Sequence, residues 1–245
     1  MNYFPLAVPF LIAFFLLAGI FLVLIEIGVL GYAYERIGVD RRYVFALLFL
    51  SLFGSYINIP LFRLAPEEVY SYGRIFHAGM MYVVPRVTDW PGTLVAVNVG
   101  GALVPAVLSV YLMVKNQLLV KGLIGTAVAT AIMHTLAHPV QGVGIAIPTF
   151  IPPLAACFIA LILSRASAPA LAYIVGSLGT LIGADLLNLG KIQGLGAPVA
   201  SIGGAGTFDG IFFTGILAVL LASIMIREKP CEVESHRAYA EMKGD

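Results

Sequence analysis

Of the thirteen Asp and Glu residues in the chain, three lie inside long apolar runs: Glu26, Asp185 and Asp209. A carboxylate so deprived of water must take a proton, find a polar partner or line a wet cavity, which makes it a functional candidate by default. Asp185 and Asp209 sit on consecutive apolar runs joined by a short connection. Two carboxyl groups that meet resist double ionisation and share a proton, so that one can activate water while the other donates to a leaving group. Glu26 stands apart from this pair and reads as an acid that is neutral or held by an interhelical donor.

Other polar residues in apolar surroundings are Asn58, Asn98 and Asn188, the last three positions after Asp185 and so on its helical face. The stretch from Ser201 to Gly210 has two readings. Structurally, Thr207 caps a helix and Asp209 complements the dipole of its first turn. Functionally, glycines such as Gly206 leave backbone N–H groups open to an anion or oxyanion at a helix start. His134 and His138 have the four-residue spacing of two metal ligands on one helix face. However, Thr135 occupies the place of the Glu general base in a zinc protease helix of that spacing. Two histidines ending a helix are therefore expected rather than a metal site, and no cofactor is expected.

Positioning these residues falls to membrane-spanning helices. The 245 residues are 60% hydrophobic and only 11% charged, with mean hydropathy +0.98, whereas soluble domains carry about a quarter charged residues. The net charge of +1 excludes a nucleic-acid surface; the expected partner is the lipid bilayer. Cys157 and Cys231 lie in an apolar run and a charged tail respectively and do not read as a disulfide.

A span needs about 20 apolar residues, and the pattern predicts an all-α, polytopic bundle of about seven spans. They fall near 5–33, 43–62, 93–114, 122–138, 148–164, 168–188 and 205–226. Residues 1–226 thus form the transmembrane domain and 227–245 a charged tail. The single long connection, 63–92, reads as an extramembrane hairpin resting on the membrane surface. The apolar but Gly- and Pro-rich stretch from Pro139 to Pro148 reads as a tight turn or re-entrant loop.

With seven spans, Arg36, Arg41, Arg42, Lys115, Lys121, Arg165, Arg227, Lys229, Arg237 and Lys243 share one side. Only Arg63, Arg74, Arg86 and Lys191 occupy the other. Basic loops stay inside, so the N-terminus is expected outside a cell membrane and the tail in the cytoplasm. On this layout Asp185, about 17 residues into its span and hence about 25 Å across at 1.5 Å per residue, shares an outer level with Asp209, Asn58, Asn98 and Asn188. Glu26 lies nearer the inner face.

Five stretches resemble a prokaryotic membrane family called domain of unknown function 1614. They are Gly54-Ser55-Tyr56-Ile57-Asn58-Ile59-Pro60, Val97 through Pro105, Pro139 through Ile145, Gly179 through Leu189, and Gly203 through Ile211. This resemblance implies an integral membrane protein and assigns no chemistry. A slighter resemblance, in the two acids on consecutive spans, is to intramembrane aspartyl proteases of the presenilin and signal peptide peptidase type. There the second acid lies in Gly-x-Gly-Asp; here the chain reads Gly206-Thr207-Phe208-Asp209, no Tyr precedes Asp185, and Pro169-Ala170-Leu171 comes before both acids.

Three functions compete on these residues. A membrane-embedded hydrolase would use Asp185 and Asp209 as a dyad on a membrane peptide. A proton- or cation-coupled carrier would use the same acids to bind a small solute. A structural or partner-binding protein would spend them on interhelical hydrogen bonds.

Overall fold

The computed structural model describes residues 15–20, 28–77, 80–140, 144–193, 195, 197–204 and 210–226. They are mostly helical, but the all-α expectation fails, because three small sheets accompany the helices. In chain order the helices are α1 (Val29–Arg36), α2 (Arg41–Gly54), α3 (Val99–Lys115), α4 (Leu119–Leu136), α5 (Ile151–Leu163), α6 (Ala168–Lys191) and α7 (Gly210–Met225). The strands are β1 (Asn58–Arg63), β2 (Glu67–His77), β3 (Met80–Trp90), β4 (Leu94–Asn98), β5 (His138–Val140), β6 (Gly144–Ala146) and β7 (Val199–Ile202).

The sheets correct two expected spans. The run 43–62 is helical only to Gly54 and becomes β1, while 93–114 begins as β4 and turns helical at Val99. Hydropathy cannot separate an apolar strand from an apolar helix, and β-branched Ile59, Val95 and Val97 favour the pleated form. Strands β1, β4 and β7 form one sheet in the order β1-β4-β7, the first pair antiparallel and the second parallel. The connection 63–92 is largely a two-stranded ribbon, β2 against β3. The Pro139–Pro148 region contains a second, short hairpin of β5 and β6.

Helix α6 is the axis of the bundle. Residues 168–177 are all buried, and α4, α5 and α7 pack around them through small residues. A Cβ at Gly179 would stand 2.5 Å from that of Ala129, and one at Gly183 would stand 2.8 Å from that of Met133. The four-residue glycine spacing thus brings α6 onto α4. Proline at the first turn starts α5 and α6, where its missing N–H leaves no helical bond unmade.

The bundle has an apolar outside and hydroxyls within. Phe45, Phe49, Phe53, Val107, Val114, Val120, Leu123, Phe158 and Ile162 are exposed, while Ser109, Thr126, Ser177 and Ser223 are buried without a side-chain hydrogen-bond partner. Two of the described helices, Leu119–Leu136 and Ala168–Lys191, are long and apolar enough to cross a membrane.

At the start of α2, Asp40 caps the helix, accepting from the Arg42 backbone N–H at 3.2 Å and from Arg42 Nε at 2.7 Å. The Arg42 side chain, then its N–H, holds the Asp40 carboxyl below its ordinary value of 3.8. The depressed pKa means that its stabilisation is complete above that ordinary value and fades as pH falls through the lower folded one. The melting-point difference between wild type and Asp40→Asn is expected to close only in acid below pH 3.8.

Candidate functional site

Strands β1 and β4 bring two of the predicted asparagines together. Asn58 stands directly opposite Asn98 in the antiparallel register. Asn98 is buried and fully used: its Nδ2 donates to Ser55 O at 2.7 Å and to Asn58 Oδ1 at 3.1 Å, and its Oδ1 accepts from Gly101 N at 2.9 Å. The last bond caps the π-helical first turn of α3. Ser201, on β7, donates its hydroxyl to Asn58 Oδ1 at 2.6 Å. One carbonyl therefore gathers the two outer strands and the central one.

Truncating Asn98 removes all three bonds and leaves the Ser55 carbonyl and Gly101 N–H without partners in a buried place. Asn98→Ala is expected to lower the unfolding free energy of the purified protein by roughly 2–4 kcal/mol. Asn98→Asp is expected to do no better, since a carboxylate cannot donate to Ser55 O, and equal stability of wild type and Asn98→Asp would contradict this account.

Two residues beyond Ser201, the chain turns at Gly203, whose φ of +73° suits glycine. This turn presents the Gly203 N–H to Asp185 Oδ2 at 2.6 Å. Asp185 ends the π-helical turn Leu181–Asp185, where α6 widens before tightening into the 3₁₀ segment Leu186–Lys191. Such local winding changes recur at functional sites. The acid is half-buried and opens onto a cavity of about 410 Å³. Thr180, Ala184 and Asp185 of α6 form one wall; β7 with Gly203 and Gly204 another; Gly144, Ile145 and Ile147 a third; and Gly210 and Ile211 of α7 complete it.

Asn188 does not join this group. It is fully buried and turned inward, its Nδ2 donating to Gly183 O and Ala184 O at 2.9 Å each. The change from π to 3₁₀ winding breaks the three-residue spacing that would have placed it beside Asp185. The paired histidines separate for a similar reason. Helix α4 stops at Leu136, because Pro139 disfavours helical backbone in the residue before it, and His138 begins β5. The two therefore do not share a helix face, and among the described residues no three His, Cys, Asp or Glu side chains converge. Gly206, Thr207 and Asp209, like Glu26, lie outside the described residues.

Sequence reasoning reaches Ser201 and Gly203 only as part of the Ser201–Gly210 stretch with its open glycine N–H groups, and it misses Thr180, which has no signal beyond its nearness to Asp185.

Fold and site together define a helical bundle with an apolar exterior and a carboxylate-lined cavity beneath a small sheet. The chain belongs to the family described as Protein of unknown function (DUF1614), which matches residues 52–221. No curated protein and no solved structure matches it.

Proposed function

We propose that this is a multi-pass membrane protein whose cavity hydrolyses a peptide bond, with Asp185 and Asp209 as the acid pair. The apolar exterior of the bundle supports the membrane setting. Lipid accepts exposed Phe, Leu and Val side chains, and small or hydroxyl-bearing residues suit contacts between spans. One observation carries the dyad. Gly204 and Gly210, which flank the segment holding Asp209, both line the cavity onto which Asp185 opens.

In this reading one carboxylate takes a proton from water as the water oxygen bonds to the peptide carbonyl carbon. The partner acid donates its proton to the carbonyl oxygen. Collapse of the tetrahedral species breaks the C–N bond as the amine takes a proton from one acid and a hydroxyl of the new carboxyl group gives its proton to the other, so the pair again holds a single shared proton. The substrate is a membrane-inserted peptide made extended near the sheet, with no cofactor required.

A second reading, a proton- or cation-coupled carrier of a small solute, draws support from the irregular winding of α6 at Asp185, since broken helices line many transport sites. Reconstituted protein given a fluorogenic single-span peptide separates the two. Cleavage that needs both acids supports the hydrolase; intact peptide with acid-dependent solute uptake overturns it. Seven spans, an outer N-terminus and an inner tail are tested by reporter fusions at each end. Finding both ends on one side would remove that topology.

A further inference from the structure

We infer that the cavity beside Asp185 binds a partly dehydrated monovalent cation of the sodium class, held between the Asp185 carboxylate and the Thr180 hydroxyl. The starting point is an imbalance. One Asp185 oxygen is bound by the Gly203 N–H. Among the described residues no basic side chain forms an ion pair with this acid. Its charge in apolar surroundings therefore calls for a counter-ion or a proton.

Thr180 decides between them. It is 3% exposed, it lines the same cavity, and its Oγ1 has no hydrogen-bond partner. A helical threonine ordinarily returns its hydroxyl to a carbonyl one turn back, and among the described residues Thr180 is the one buried hydroxyl without a partner that lies on the wall of this cavity. It does not reach Asp185 directly, because no hydrogen bond joins the two. A proton alone, whether on Asp185 or shared within the proposed acid pair, would leave Thr180 orphaned, whereas a cation between Asp185 and Thr180 gives both oxygens a partner.

The backbone explains why the two oxygens face one space. A π-helical turn closes on the fifth residue, and Asp185 is five residues after Thr180. The opposite side of α6 is occupied, since Gly183 presses against Thr130 and Met133 of α4. Ser201, the other hydroxyl on the cavity wall, is committed to Asn58. Hard cations prefer oxygen ligands, and sites for divalent ions usually gather several carboxylates. One carboxylate, one hydroxyl and water from the open side suit a single positive charge.

This inference uses the cavity of the proposed hydrolase but stands without cleavage, because its readout is binding. Full-length protein in lipid nanodiscs is titrated with radioactive sodium against choline, with potassium as competitor. Saturable retention is expected in wild type, with loss in Asp185→Asn, roughly tenfold weakening in Thr180→Val and near-native binding in Thr180→Ser. Should Asp185→Asn misfold, the Val and Ser pair still decides. Retention by wild type no greater than in choline-matched blanks, or equal retention by Thr180→Val, overturns the cation and leaves water bridging the two oxygens. Peptide cleavage measured in choline buffer fails or succeeds independently of that result.

Discussion

Asp185→Asn is expected to lower peptide cleavage by roughly 10²- to 10⁴-fold, Asp209→Asn by a similar factor, and the double variant by little more than either. The near-equality follows from shared protonation. Each acid works only through its partner, so removing one already disables the pair. Asparagine is the informative replacement at Asp185, because its side-chain oxygen can still accept the Gly203 N–H that positions the carboxylate at 2.6 Å. The fold is thereby kept while the shared proton is lost. Retention of full cleavage by Asp185→Asn would remove the dyad, and additive losses in the double variant would show that the two acids act separately.

The largest effect on stability is expected at Gly100, in the π-helical first turn of α3. An alanine Cβ there would run into the backbone of α2, at Ser51 O and Ser55 N, with Ser55 Oγ at 2.7 Å. Backbone atoms cannot swing aside as a flexible side chain does. The contact would also force apart the Ser51 hydroxyl and the Gly100 carbonyl, which are bonded at 3.1 Å. Gly100→Ala is expected to destabilise the protein by about 3 kcal/mol or more. Gly190→Ala is the matched control, since its new Cβ would meet nothing within 4 Å, and it is expected to be nearly neutral. Equal melting of the two variants would mean that α2 and α3 are not locked together at this crossing.

Helices α4 to α7 were legible because each carries a sustained apolar run bounded by proline, glycine or charge, and hydropathy measures that directly. The strands were not. Asn58-Ile59-Pro60-Leu61-Phe62 and Leu94-Val95-Ala96-Val97 are as apolar as a helix of the same length, and their partners are far away in sequence. Asn58 and Asn98 meet as cross-strand partners, a relation that span-end counting could not express. Regular helical periodicity puts Asn188 on the face of Asp185, and it fails where α6 changes winding twice in ten residues. Thr180 was invisible for the same reason. Its relation to Asp185 depends on a π turn, and local residue types do not announce one.

The pairing of β4 with β7 also fixes when the cavity comes into being. Leu94 to Val97 align in parallel with Val199 to Ile202, and the Thr93 hydroxyl bonds to the Ala197 carbonyl across 104 positions of chain. Nothing can occupy the β7 place until α3, α4, α5 and α6 have all been synthesised. During translation, then, Asp185 leaves the ribosome before the Gly203 N–H that holds it, and the parts of the wall made by β7 and α7 arrive after the acid. A nascent chain stalled before residue 199 therefore carries the acid without its cavity, so any chemistry done there must wait until β7 has been added.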